Sequence, residues 1–178
     1  MTVKRYFLLL CGLAVLGAAP VFAGPAYAGG EPKLLATEGK WSAYSFIENK
    51  KKVCYILSQP EKAEGKYGSR SEIYALITNR PADGSKNVFS YIAGYPYKPG
   101  SDVTVKIDGS SFTLFTQDDT AWAPDAATDT KIAEAMSRGT TMVVTGVSAR
   151  GTETLDTYSL EGSSAAHRAM TAECEAKN

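Results

Sequence analysis

The sequence predicts a mainly all-β domain, an antiparallel sandwich or barrel, with two short helices. Three observations carry this prediction. Short segments rich in β-branched and aromatic residues recur along the chain, and glycine, proline and aspartate turns separate them at close intervals. Only two segments show helical spacing instead, residues 125–138 and a stretch beginning at Ser163 or Ser164.

The first 28 residues have the layout of a secretory signal peptide. Lys4 and Arg5 give a positive start, residues 7–19 are an unbroken apolar run, and small residues allow cleavage after Ala28 or Ala23. The run is shorter than a membrane span needs, so removal is expected rather than anchoring. The sequence therefore predicts a periplasmic protein, with association with the outer membrane or secretion as alternatives.

The cleavage prediction can be tested on the exported protein. Because two small-residue sites follow the short apolar run, we expect the purified protein to begin at Gly29 or Gly24. N-terminal sequencing checks this directly. Recovery of Met1 on most of the exported protein would contradict the prediction.

The mature chain has the size and charge of a single globular domain. Removing 28 of the 178 residues leaves 150, which we divide into a flexible lead-in over residues 29–39 and one domain over 40–178. Without Lys4 and Arg5, 17 basic residues stand against 19 acidic ones. This balance gives no reason to expect nucleic acid as a partner, and no later segment is long and apolar enough for a transmembrane anchor.

The first half of the domain reads as strands joined by turns. Residues 41–47 and 53–58 are β-rich, and the polar segment between them predicts a hairpin loop. Residues 61–70 are polar with two glycines, which predicts a mobile loop. A strand over residues 73–78 and a Pro-Ala-Asp-Gly turn at 81–84 follow.

The second half contains the clearest hairpin of the sequence. Residues 87–93 predict a strand, and residues 94–100 hold two prolines, which a central strand does not accept. Residues 103–107 and 112–116 then alternate between apolar and polar side chains around an Asp-Gly turn. Residues 141–160 resume the β pattern in two further strands.

Two helices interrupt the strands. Residues 125–138 begin with acidic residues, place Ile132 and Met136 four apart, and are followed by Gly139 as a stop. The C-terminal helix places small and sulfur-containing residues on one stripe at a spacing of four: Ala166, Met170 and Cys174. That stripe is the face a short helix presses onto a sheet.

Two cysteines remain after signal removal, Cys54 and Cys174. Delivered to an oxidising compartment, they predict one disulfide between a front strand and the inner face of the C-terminal helix. The alternative is two separate thiols, one of them buried as a small hydrophobic residue. A redox role is not expected, because the sequence contains no Cys-x-x-Cys pair.

Motifs for catalysis, metals and cofactors are absent from the sequence. His167 is the only histidine, so a zinc site with two or three histidines cannot form, and we expect it to face solvent on the last helix. There is no Gly-x-Ser-x-Gly elbow and no phosphate-binding glycine loop. We therefore expect no catalytic, metal or cofactor-binding residues.

Three groups of residues remain as candidates for chemistry. The first is acidic, with Asp118, Asp119, Asp125 and Asp129, which could bind calcium but are better explained by the start of a helix. The second is aromatic. Either Tyr91 and Trp122 fill the core while Tyr95 and Tyr97 cover its edge, or these side chains form a binding surface.

The third group is a charged pair, Arg150 and Asp156, which flanks a predicted hairpin turn. An ion pair across that turn is expected to be structural. Together with the aromatic group it gives the candidate interaction surface, which consists of Tyr95, Tyr97, Trp122, Arg150 and Asp156.

Several motifs, in their order and spacing, resemble one known family. They are G-Y-P-Y-K-P-G-S (94–101), V-x-I-D-G-x-x-F (105–112), A-W-A (121–123), M-V-V-T-G-V-S-A-R-G-T (142–152) and D-T-Y-S-L-E-G (156–162). With them the chain resembles invasion-associated locus B proteins from about Trp41 to Cys174. The resemblance implies an immunoglobulin-like β-sandwich exported by a Gram-negative bacterium. It also implies an association with host-cell invasion and no established enzymatic activity.

The sequence as a whole favours a non-enzymatic binding protein of the envelope. Its expected partner is an envelope or host protein, or a small ligand. The alternative is an envelope enzyme that cleaves glycans with two carboxylates, which the acidic segment at residues 118–129 would have to supply. A third interpretation is a structural envelope-stress protein with no dedicated ligand.

Overall fold

A computed structural model describes residues 30–176, and the predicted signal peptide lies outside this range. Within it the chain forms eleven strands and two α-helices. The strands are β1 (Lys33–Glu38), β2 (Trp41–Glu48), β3 (Lys51–Ser58), β4 (Lys62–Gly65), β5 (Tyr74–Arg80), β6 (Ser85–Ile92), β7 (Val103–Ile107), β8 (Ser110–Gln117), β9 (Thr120–Trp122), β10 (Thr141–Val147) and β11 (Glu153–Ser159). The helices are α1 (Ala126–Arg138) and α2 (Ser163–Glu175). None of the helices in this range is long and apolar enough to cross a membrane.

All strand pairs are antiparallel, and the strands run in the order β1-β2-β3-β5-β6-β9-β8-β7-β10-β11-β4. β8 passes from one layer to the other, because residues 110–114 pair with β7 and residues 115–117 pair with β9. The first layer therefore holds β1, β2, β3, β5, β6 and β9. The second holds β7, β10, β11 and β4.

The two layers face each other across the core. The indole N–H of Trp41 on β2 donates to the carbonyl of Ser159 on β11 at 3.0 Å. The rings of Tyr91 on β6 and Tyr158 on β11 meet edge to face, with 6.4 Å between their centroids. Helix α1 packs on β6, and α2 packs on β2 and β3. This arrangement confirms the predicted all-β sandwich-like fold with two helices, one of them C-terminal.

Two predicted loops contain strands. The sequence predicted a flexible lead-in over residues 29–39, but β1 lies there and pairs with β2. It also predicted a loop over residues 61–70, which contains β4, paired with β11. Both are edge strands, and β4 is exposed along its whole length. Backbone hydrogen bonds hold β4 while its side chains face solvent, so they show no alternation that a sequence pattern could reveal.

The predicted disulfide is confirmed. Cys54 and Cys174 are bonded, with 5.9 Å between their α-carbons, within the usual range for bridged cysteines. The predicted stripe is also the buried face of α2, since Ala166, Met170 and Cys174 are all buried. A second contact holds the same helix end, because the Lys52 ammonium donates to the carbonyl of Glu173 at 3.0 Å.

Candidate functional site

A cleft of about 630 Å³ opens at one end of the sandwich, and we call it the arginine cleft. Three segments form its walls, residues 66–71 after β4, residues 94–96 after β6 and residues 148–154 around the β10–β11 turn. Its volume lies within the range of roughly 300–1,000 Å³ typical of small-molecule sites.

A buried ion pair lies beneath the cleft, and its arginine, Arg70, is part of the lining. Arg70 Nη1 donates to Asp156 Oδ1 at 2.7 Å, and Nη2 donates to Oδ2 at 2.6 Å. The two side chains are 4% and 1% exposed. Arg70 Nε also donates to the carbonyl of Ala93 at 2.6 Å. The bidentate pair joins the first wall of the cleft to β11, and the bond to Ala93 joins it to the residue that follows β6.

Tyr91 completes this buried network. Its hydroxyl donates to Asp156 and accepts from Arg70 Nη2 at 3.2 Å. Burial raises the pKa of Tyr91 far above its ordinary value, so the hydroxyl keeps its proton and remains a donor. Burial opposes the charge of Arg70, but the hydrogen bond to Asp156, together with the smaller effects of the Asp156 charge, Tyr91 and Tyr67, outweighs it and the pKa of Arg70 is raised. Arg70 and Asp156 thus form a charged pair with a neutral phenol beside it.

Two tyrosine rings hold the Arg70 guanidinium between them. Its central carbon lies 5.4 Å from the ring centroid of Tyr67 and 4.8 Å from that of Tyr95, within the range of cation–π contacts. The Tyr95 hydroxyl is 2.6 Å from Thr154 Oγ1, and the Tyr67 hydroxyl donates to Ala63 at 3.0 Å. Both rings are therefore fixed in position.

Backbone contacts join the three walls to one another. The Ser71 N–H donates to the carbonyl of Gly94 at 3.0 Å, and the Ala149 N–H donates to that of Pro96 at 2.8 Å. Gly94 has φ +71°, and a β-carbon there would overlap the Ser71 carbonyl oxygen. Glycine is therefore required at this position, because it accepts both the left-handed conformation and the close approach.

The rim of the cleft carries positive charge. Lys66 and Arg150 line it and are exposed, and no aspartate or glutamate lines it. Neither cation lies within ion-pair distance of a carboxylate in the part of the chain that the structure describes. Since Asp156 neutralises Arg70, Lys66 and Arg150 are the unpaired cations of the lining.

Comparison with known proteins identifies the family. The model of the invasion associated locus B (IalB) protein family matches residues 41–171, which include all three walls of the cleft. The chain belongs to the IalB family. No curated protein matches it.

One solved structure supports the fold of this family member. The crystal structure of invasion associated protein B from Bartonella henselae superposes with a TM-score of 0.55 and 20% sequence identity. The match covers 80% of this chain and 99% of that one. At this identity the likeness shows that the two share a fold.

In this IalB family member, the two charged residues that the sequence predicts to pair, Arg150 and Asp156, do not form an ion pair with each other. Arg150 lies exposed on the rim, and Asp156 pairs with Arg70 instead. The predicted ion pair between Arg150 and Asp156 is therefore wrong. On β11 the side chains of Thr154, Asp156 and Tyr158 all point inward, so Asp156 cannot meet an arginine in the exposed turn.

The aromatic residues that the sequence groups together also lie in different environments. Tyr95 lines the cleft, but Tyr97 is only 5% exposed and packs edge-on against Tyr95, so it is a core residue and not an edge cover. Tyr91 is in the core as expected. Trp122 is half-buried on β9 and points away from the core, since its neighbour Ala121 points inward. It does not line the cleft. Whether these residues form an interaction surface stays a prediction.

The hydroxyls of Tyr91 and Tyr97 allow a matched test of the network. Tyr91→Phe removes a buried donor to Asp156 and is expected to lower the free energy of unfolding by about 1.5–3 kcal/mol. Tyr97→Phe removes a buried hydroxyl with no hydrogen-bond partner among the described residues, so it should be neutral or slightly stabilising. Urea denaturation measures both, and equal losses would contradict this assignment.

Two residues of the acidic segment, Asp125 and Asp129, have structural roles. Asp125 caps α1 by accepting from the Thr128 N–H at 2.7 Å, and Asp129 accepts from the Phe89 N–H at 2.8 Å. Within residues 30–176 no group of three histidine, cysteine or acidic side chains could hold a metal ion. His167 does not simply face solvent as predicted. It is half-buried, and its Nε2 lies 2.8 Å from Asn87 Oδ1.

Proposed function

We propose that this IalB family member is an exported, non-enzymatic binding protein that holds its ligand in the arginine cleft. The observation that carries the proposal is the buried network of Arg70, Asp156 and Tyr91 beneath an open, charged mouth. Such a network fixes the walls before a ligand arrives, so little conformational entropy is lost on binding. Binding sites commonly combine a fixed scaffold with loop residues of this kind.

The lining of the cleft favours binding over catalysis. General acid–base and nucleophilic catalysis most often use a histidine, a carboxylate or a thiol, and a lysine, tyrosine or serine serves when a neighbouring base or its surroundings activate it. The residues that line the cleft include no histidine, carboxylate or thiol that could act in this way or activate Lys66 or the serines. Of the four carboxylates at residues 118–129 that a glycan-cleaving enzyme could use, Asp125 caps a helix and Asp129 accepts from a backbone N–H. None of the four lines the cleft.

We place the protein in the periplasm of a Gram-negative envelope, on the strength of the N-terminal 28 residues. Its partner would be an envelope component, a small ligand or a host protein. A host protein is included because the names of the family and of the Bartonella henselae protein contain the words "invasion associated".

Photo-crosslinking in intact cells tests the proposal. A photoreactive amino acid replaces Ser69, which is exposed and lines the cleft, and in a control strain it replaces Gln117, which is exposed but lies outside it. After irradiation the protein is purified, and its intact mass is measured together with any protein attached to it. This readout detects a macromolecular partner and a small ligand equally well.

A discrete adduct at position 69 that is missing at position 117 supports the proposal. The same adducts at both positions, or none at position 69, would contradict it. An adduct at position 69 should also disappear when Gly94→Val disrupts the approach of the second wall to Ser71.

A further inference from the structure

We infer that the arginine cleft recognises the carboxylate or phosphate group of a small, hydroxylated acidic molecule. This inference rests on the proposed function and names the class of ligand for the same site. It is carried by the charges, the hydroxyl groups and the neighbouring surface of the cleft.

Two cations at the mouth lack anionic partners, in contrast to several others on the surface. Some exposed basic residues elsewhere are paired at short range, among them Lys40 with Glu61 at 3.0 Å, Lys51 with Asp83 at 2.7 Å and Lys86 with Glu175 at 2.7 Å. Unpaired lysines of the described range such as Lys33 and Lys106 do not line this cleft. Lys66 and Arg150 face a shared cleft without a carboxylate in its lining. An oxyanion between them would gain charge-assisted hydrogen bonds.

The remaining free groups of the lining are hydroxyls. Within the described range, the side chains of Ser69, Ser71 and Thr152 donate no hydrogen bond to another residue, so they are available to polar groups of a ligand. The rings of Tyr67 and Tyr95 each face the Arg70 guanidinium. Because the guanidinium occupies one face of each ring, stacking of an apolar ligand ring is less favoured than hydrogen bonding to a hydroxylated molecule.

An adjacent acidic groove limits the size of the ligand. Glu64, Asp102 and Glu153 line this groove, which shares Thr154 with the cleft. A polyanion or an anionic membrane surface that extended beyond the cleft would meet these carboxylates, and like charges repel. The volume of about 630 Å³ likewise suits a small molecule.

Calorimetric titration of the purified exported protein tests the inference. The probes are glucuronate and glucose 6-phosphate, and glucose is the neutral analogue. Phosphatidylglycerol vesicles are tested as well, because they present a phosphate and hydroxyl groups on a membrane surface. The test variant is Lys66→Gln/Arg150→Gln. The control variant, Lys33→Gln/Lys106→Gln, removes the same charge from exposed residues that do not line the cleft.

At least one acidic sugar should bind saturably while glucose does not. The test variant should weaken this binding by about tenfold or more, and the control by less than about twofold. Binding that the two double variants weaken equally, binding to vesicles alone, or no binding of either acid would overturn the inference. If the acids fail but the crosslink at position 69 persists, the ligand class is wrong and the binding function stands.

Discussion

Arg70→Met is expected to lower the free energy of unfolding by about 3–5 kcal/mol, because it leaves Asp156 buried without its cation. The side chain of Asp156 is 1% exposed, so water cannot replace the lost guanidinium. Two of its hydrogen bonds come from Arg70 and one from Tyr91, which alone cannot compensate a buried carboxylate. Urea denaturation at neutral pH measures the loss.

Two further variants separate this effect from simple loss of packing. Arg70→Met/Asp156→Leu removes both charges and should recover much of the lost stability, since buried pairs often exchange for apolar residues at little net cost. Arg138→Met breaks an exposed pair with Glu134 and should change stability by only about 0.3–0.5 kcal/mol. A double variant that is as unstable as Arg70→Met would show that the charge pair is not the cause.

Loss of the disulfide is expected to lower the free energy of unfolding by up to about 4–5 kcal/mol. Cys54 and Cys174 are 120 residues apart, so their bond closes a loop over most of the domain and restricts the unfolded chain strongly. Helix α2 has 13 residues, and an isolated helix of that length is marginal in water. Without the bond its end should open first.

Denaturation with and without reductant measures this effect, and Cys54→Ala/Cys174→Ala is the control. Reductant should destabilise the native protein and leave the double variant unchanged. Amide hydrogen exchange should show that the amides of α2 lose protection before those of the strands do. Equal stability of the oxidised and reduced native protein would contradict the prediction.

The interior strands could be predicted because burial on one face leaves a two-residue period in the sequence. β7 and β8 are the clearest case, with Val103, Val105 and Ile107 pointing inward. β1 and β4 could not be predicted in this way. Both are edge strands. The side chains of β4 are all exposed, and in β1 two adjacent residues, Leu35 and Ala36, are half-buried against the core, so neither strand shows the two-residue period. The disulfide could be predicted, since only two cysteines remained and Cys174 shared a stripe with Ala166 and Met170.

The site was only partly predictable. Tyr95 and Arg150 were identified from a proline-containing loop and a turn, where functional residues often lie. Arg70 was missed because it stands in a polar segment and its partner, Asp156, is 86 residues away. Nothing in the local pattern links them. The inward alternation of Thr154, Asp156 and Tyr158 was the one available sign that Asp156 is buried and needs a cation.

If the proposed function is correct, a ligand occupies the arginine cleft in the cell. Chemical acetylation of lysines, followed by peptide mass spectrometry, tests it without knowledge of the ligand. Lys66 on the rim is compared with exposed Lys33 on β1, in intact cells and in the purified, dialysed protein. Lys66 is expected to be protected in cells and reactive after purification, while Lys33 should react equally in both. Equal reactivity of Lys66 in cells and in the purified protein would contradict it.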